Sequence, residues 1–134
     1  MPGAPIDALK RVPLFADLDE RELEAISQAF QDQRFSAGET VIEEGSAGDT
    51  FFLIDSGEAT ITIGGEDRGP LTPGDYFGET ALFDGGPSAA TVTATGDLAC
   101  YGLPHSQFHA IVDNNVSIRW KLLQTLAKLI RAAE

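Results

Sequence analysis

The sequence predicts a mainly β domain with flanking helices. The expected architecture is a jelly-roll β-barrel (double-stranded β-helix) with an N-terminal helix and C-terminal helices. Three observations predict it. From about residue 35 to 103, short β-rich runs alternate with glycine turns, as in a sandwich or barrel. No long helical pattern interrupts that region, which argues against α/β layering. Amphipathic helical patterns flank it on both sides. A chain of 134 residues supports one domain with one core. The expected division is helical 1–34, barrel 35–103 and C-terminal helices 104–134.

Val12-Pro13-Leu14-Phe15 reads as a short apolar anchor. Asp19 is a natural N-cap, and Glu22 completes a capping-box spacing. Leu18 and Leu23 can close a hydrophobic staple around that cap. Leu23, Ile26 and Phe30 then repeat at helical spacing, and the helix is expected to end before Gln33. The predicted strands are Thr40–Ile42, Phe51–Ile54, Ala59–Ile63, Ala90–Ala94 and Leu98–Leu103. Jelly-roll closure handles the edge strands of so small a sheet system. Pro104 opens a short helix carrying Phe108, Ile111 and Val112, and Asp113-Asn114-Asn115 breaks it and caps the next. The last helix is expected from Val116 to Ala133. Its apolar residues form two stripes. Val116, Trp120, Leu123, Ala127 and Ile130 make one, and Leu122, Leu126, Leu129 and Ala133 the other. A single core contact needs one stripe. The Leu122–Leu126–Leu129 stripe is therefore expected either to form a homodimer or to cover the barrel mouth.

Apolar residues make up 43% of the chain and aromatics 8%, an ordinary globular composition. The formal net charge of −12 disfavours nucleic acid and anionic membranes as partners. No Lys or Arg occurs between Arg68 and Arg119. The single cysteine, Cys100, excludes an internal disulfide and suggests a reducing compartment. The start, Met1-Pro-Gly-Ala-Pro, lacks the pattern of a secretory leader. No apolar run approaches the roughly 20 residues of a membrane helix. The expected location is cytoplasmic.

Several segments carry a family resemblance. Leu14-Phe15-x-x-Leu18 and Phe35-x-x-Gly38-x-x-Val41 come first. They are followed by Ile42-Glu43-Glu44-Gly45-x-x-Gly48-Asp49-x-Phe51-Phe52-x-Ile54-x-x-Gly57. The most informative stretch is Gly74-Asp75-Tyr76-Phe77-Gly78-Glu79-Thr80-Ala81-Leu82, continued by Pro87-Ser88-Ala89-Ala90-Thr91-Val92. In this order and spacing the chain resembles the cyclic nucleotide-binding domain family, and the last stretch resembles its phosphate-binding cassette. The family pattern is F-G-E-x-A-L, a variable loop, then P-R-x-A-T-V. Ser88 stands at the arginine position.

The resemblance implies a regulatory domain that binds cyclic AMP or cyclic GMP, with no cofactor or metal and no catalysis. It implies ligand-binding roles for Phe77, Gly78, Glu79, Thr80, Ala81, Ser88 and Ala89. Glu79 would accept a hydrogen bond from the ribose 2′-hydroxyl, and the Ala89 amide would donate to the phosphate. Gly78 lets backbone approach a ligand. Thr80, Ala81 and Leu82 can begin a one-turn helix whose N–H groups face an anion. At the arginine position Ser88 offers only a neutral hydroxyl. Losing a charge-assisted contact worth about 3 kcal/mol lowers affinity by roughly two decades or more.

Two residues of the last helix are lid candidates. Arg119 falls between the apolar stripes and can stand in for the missing cation, or it is a snorkelling arginine paired with a surface acid. Lys121 is expected to point to solvent. Trp120 can cap a purine or make a core or dimer contact. His105 and His109, four apart near Cys100, read as surface imidazoles rather than a metal site. A cupin-type enzyme would need histidines inside the barrel, whereas both follow the last strand. The remaining alternative is a ligandless dimerisation module. No effector domain follows the last helix in this sequence, so the output is expected to pass to a partner protein, or the chain is a fragment.

Overall fold

The computed structural model describes residues 3–134. The Met1-Pro2 start, part of the leader expectation, lies outside the described residues, as does the Ala81 side chain. A short helix α1 (Ile6–Lys10) and a 3-10 turn at Pro13–Phe15 lead into α2 (Glu20–Ser27). Eight strands follow: β1 (Gln31–Phe35), β2 (Thr40–Ile42), β3 (Thr50–Ser56), β4 (Ala59–Ile63), β5 (Glu66–Leu71), β6 (Tyr76–Phe77), β7 (Thr91–Ala94) and β8 (Leu98–Pro104). A one-turn helix α3 (Ala81–Asp84) separates β6 from β7, and α4 (His105–Asp113) and α5 (Val116–Ala133) complete the described fold.

The strands form two antiparallel four-stranded sheets, ordered β1-β8-β3-β6 and β2-β7-β4-β5. β3 separates two cores because its alternating side chains are apolar on both faces. Phe52 and Ile54 face the second sheet, with Phe77, Val92, Leu98 and Cys100. Phe51 and Leu53 face the helices, with Phe15, Phe30, Leu103, Phe108 and Ile118. The Phe51 ring meets Phe15 and Phe30 edge-on at 5.8 and 6.0 Å. The layers are therefore helices, sheet, sheet. Gly57 turns β3 into β4 at φ 91°, and a Cβ there would lie 2.1 Å from the Asp97 carbonyl oxygen.

The α2 cap forms as expected: Asp19 accepts from the Glu22 amide, and Glu22 accepts from the Asp19 amide. The helix stops at Ser27 and strand structure begins at Gln31, so helical character does not extend to residue 34. The pattern of β1, Gln-Asp-Gln-Arg-Phe, hides a strand because β1 is an edge that pairs only with β8. β5 and β6 were also absent from the expectation. β5 is an edge that accommodates Gly69 and Pro70, and β6 has two residues.

The Val116 stripe does not take the core contact of α5; that contact is made on the Leu122 side, one of whose two expected uses was within the molecule. Ile118, Leu122 and Thr125 are buried and Leu126 packs against the same core. Val116, Trp120, Leu123 and Ile130 are 49–63% exposed. Of the Leu122 stripe, Leu122 and Leu126 are thus held within the molecule, Leu129 is 42% exposed, and the Val116 stripe is the more exposed one. Polar contacts fix this orientation. Lys121 does not point to solvent; its Nζ reaches Glu22 Oε1 at 2.6 Å, and Ser117 Oγ donates to Glu22 Oε2 at 2.7 Å. Thr125 and Lys128 donate to Asp17. Burial pushes the Glu22 carboxyl up, but hydrogen bonds from Lys121, the Asp19 amide and Ser117 outweigh it and hold its pKa below the ordinary value.

Among the described residues, no helix is long and apolar enough to cross a membrane.

Candidate functional site

The open end of the sandwich holds a cavity of about 340 Å³. Its apolar wall comes from Ile42, Ile61, Ile63 and Val92 on the second sheet. Tyr76 and Phe77 of β6 enter from the first sheet, and Gly78, Glu79 and Thr80 follow them around the rim. Ser88 and Ala89, ahead of β7, also line it. The structure therefore gathers Phe77, Gly78, Glu79, Thr80, Ser88 and Ala89 around one space. The backbone of Ala81 opens α3.

Gly78 is required for chain packing. Its φ is 84°, and a Cβ would lie 2.7 Å from the Thr50 carbonyl oxygen. Gly78 also lines the cavity, so this packing requirement stands beside the ligand-approach role expected of it. The expected one-turn helix forms as α3, Ala81–Asp84, but one of the amides expected to face an anion is already committed. The Leu82 amide donates to the Glu79 carbonyl, and the Phe83 and Asp84 amides donate to Thr80. Leu82 therefore does not offer its N–H to an anion, and its side chain is fully buried.

Ser88 is held in place from both directions. Its amide donates to Ser46 O at 2.9 Å, and its carbonyl accepts from Gly45 N at 2.8 Å. Its hydroxyl donates to Ala90 O at 2.7 Å and accepts from Ala90 N at 3.3 Å. The side chain at the arginine position is occupied with its own turn. Among the described lining residues Glu79 alone carries a formal charge. Burial pushes the Tyr76 hydroxyl pKa up, and the Glu79 carboxylate adds to that shift. The Tyr76 hydroxyl keeps its proton as a donor.

The lid candidates stand elsewhere. Arg119 donates from Nη2 to Asp113 O at 2.9 Å and to Val112 O at 3.1 Å. It caps the C-terminus of α4, where orphan carbonyls and the helix dipole favour a cation. Its partner is neither a surface acid nor the cassette. Trp120 lies on the exposed stripe of α5, and neither residue lines the cavity. His105 and His109 stack with ring centroids 4.1 Å apart, and His109 Nε2 lies 3.0 Å from Leu82 O. Among the described residues no cluster of His, Cys, Asp or Glu fits a metal. Burial raises the Cys100 thiol pKa to about 11, which disfavours a nucleophilic role.

Sequence reasoning missed the Ile42, Ile61, Ile63 and Val92 wall. The signal was present in the alternation of β4, Ala-Thr-Ile-Thr-Ile, which puts its isoleucines on one face. A second cavity of about 290 Å³ lies behind the cassette. Tyr76, Glu79 and Thr80 line both spaces, and Pro13, Leu14, Phe83, Leu126 and Leu129 complete the second. The cassette is the partition between the main cavity and α5.

The sequence model of the cyclic nucleotide-binding domain matches residues 32–115. This chain belongs to the cyclic nucleotide-binding domain family. The domain is 42% identical over 106 residues to the cAMP-dependent protein kinase regulatory subunit of Yarrowia lipolytica, covering 78% of this chain and 28% of that protein. It is 38% identical over 104 residues to the corresponding subunit of Hypocrea atroviridis, covering 78% of this chain and 22% of that protein. The chain thus spans less than a third of these curated relatives. Among solved structures, it resembles the N-terminal domain of a transcriptional regulator from Streptomyces coelicolor A3(2). The TM-score is 0.85 at 26% identity, covering 96% of this chain and 95% of that one. It also resembles the regulatory domain of Toxoplasma gondii PKA solved with cAMP. There the TM-score is 0.71 at 35% identity, covering 79% of this chain and 42% of that one.

Proposed function

We propose that this chain is a non-catalytic regulatory domain of the cytoplasm whose cassette cavity is the ligand site, and that it binds cyclic AMP or cyclic GMP weakly. The observation that carries this reading is Ser88: it lines the cavity at the arginine position, with its hydroxyl committed to Ala90. Burying a phosphate without a cation costs several kcal/mol. The fold and the relatives support a nucleotide-type pocket, and Ser88 weakens the phosphate subsite. Signal would leave through the cassette partition, because Glu79 and Thr80 contact the ligand space on one side and the Leu126–Leu129 groove on the other. Calorimetric titration with cyclic AMP and cyclic GMP at ordinary salt tests the reading. The expected result is weak binding, or none at micromolar ligand; tight stoichiometric binding would overturn the role given to Ser88.

The exposed stripe of α5 favours a partner as well. Val116, Trp120, Leu123, Ala127 and Ile130 recur at alternating spacings of four and three, the seam of a two-stranded coiled coil. We assign it to a second copy of this chain. In a parallel pair the flanking positions bring Arg119 near Gln124 and Leu126 near Arg131, so no like charges oppose one another. The homodimer therefore uses the opposite stripe from Leu122, Leu126 and Leu129. Sedimentation is expected to show a dimer at high micromolar concentration and a monomer for Leu123→Asp. A monomeric parent chain at that concentration would exclude the pairing.

A further inference from the structure

The chemistry of the cavity identifies a ligand class for the proposed site, and this inference rests on that site being a ligand pocket. The walls suit a flat heterocycle: Ile61, Ile63 and Val92 form an apolar face opposite Phe77. The rim carries one formal charge among the described lining residues, the negative charge of Glu79. Ser88, in the same lining, has its hydroxyl closed onto Ala90 at 2.7 Å. An anion entering this space meets a carboxylate and no compensating cation. A neutral ligand carrying hydroxyl donors meets a carboxylate able to accept two of them at once.

We propose that the cavity selects an uncharged nucleoside over the corresponding cyclic monophosphate, with Glu79 accepting from the vicinal 2′- and 3′-hydroxyls of the ribose. Cyclisation removes the 3′-hydroxyl as a donor and adds a negative charge. Both changes work against binding beside Glu79. The residue at position 88 sets the charge of the preferred ligand, since an arginine there would restore compensation for an anion.

The test is a calorimetric comparison of adenosine, guanosine, cyclic AMP and cyclic GMP on the intact chain. At least one nucleoside is expected to bind about tenfold or more tighter than its cyclic monophosphate. The 2′,3′-dideoxy form of that nucleoside is expected to lose about tenfold. Glu79→Gln, isosteric with the parent, is expected to weaken the nucleoside while leaving the thermal midpoint in place. In Ser88→Arg the order of nucleoside and cyclic nucleotide is expected to invert. If the parent chain prefers a cyclic nucleotide, or ignores both nucleosides while Ser88→Arg gains cyclic nucleotide binding, this inference is overturned and the ligand-site reading stands. If neither protein binds any of the four compounds while both remain folded by circular dichroism, both readings are overturned.

Discussion

Replacing Ser88 with arginine is expected to raise the affinity for cyclic AMP by about two orders of magnitude, or roughly 3 kcal/mol. The backbone around position 88 is already fixed by the Gly45 and Ser46 hydrogen bonds, at 2.8 and 2.9 Å. The substitution therefore changes the side chain presented to the cavity without requiring a new loop. A guanidinium can contact two phosphate oxygens through its planar fork, which a hydroxyl cannot. It also offsets the negative potential of Glu79. The variant loses the Ser88–Ala90 hydrogen bond, a cost of about 1 kcal/mol in stability. Calorimetry beside a thermal melt separates the two effects. A variant that folds normally and gains no affinity would show that the defect lies elsewhere in the cassette, or that the cavity is not a nucleotide site.

Phe51→Ala is expected to destabilise the fold by about 3–5 kcal/mol. Phe51 is fully buried on the helix side of β3. Its ring contacts Phe15 ahead of α2, Phe30 after it, and Tyr76 at the start of the cassette strand. Truncation leaves a cavity where the N-terminal helices meet the first sheet, and no neighbouring element is free to fill it. Against a typical domain stability of about 5–15 kcal/mol, this loss is large. Phe51→Leu, which keeps most of the volume, is expected to cost markedly less. Urea denaturation of the three proteins checks the ranking. A loss below about 1 kcal/mol for the alanine variant would show that the helices do not depend on this contact.

The same packing explains which parts of the fold were legible in the sequence. β3, β4, β7 and β8 occupy central positions in their sheets, so each has at least one apolar face and its pattern is plain. β1, β2, β5 and β6 are edges, and of these only β2, Thr-Val-Ile, carried a plain strand pattern. An edge strand is constrained by one neighbour only, and the residues of β1 and β5 read as turn or polar surface. The α5 boundaries were legible because Asn115 caps the helix through the Ile118 amide. Its buried face was not. Ile118 and Thr125 complete that face, and Thr125 belongs there because Asp17 accepts its hydroxyl. Periodicity in one helix cannot reveal a polar partner 108 residues away in sequence.

The site shows a similar division. The cassette segment lay together in the sequence and lies together around the cavity. The role of Arg119 was not legible, because angle around a helix says nothing of which carbonyls lie within reach. Val112 and Asp113 satisfy its guanidinium locally. The isoleucine wall was legible from the alternation of β4, but only once that strand was placed opposite the cassette.

Amide chemical-shift mapping of cyclic AMP titrated into the parent chain and into Ser88→Arg tests the central claim most directly. The account predicts saturable shifts in Ser88→Arg at Gly78, Glu79, Thr80, Ala89 and Ala90 and along Ile61–Ile63, with saturation at far lower ligand concentration than in the parent chain. Equal titration curves for the two proteins, or shifts confined to residues away from the cassette cavity, would contradict it.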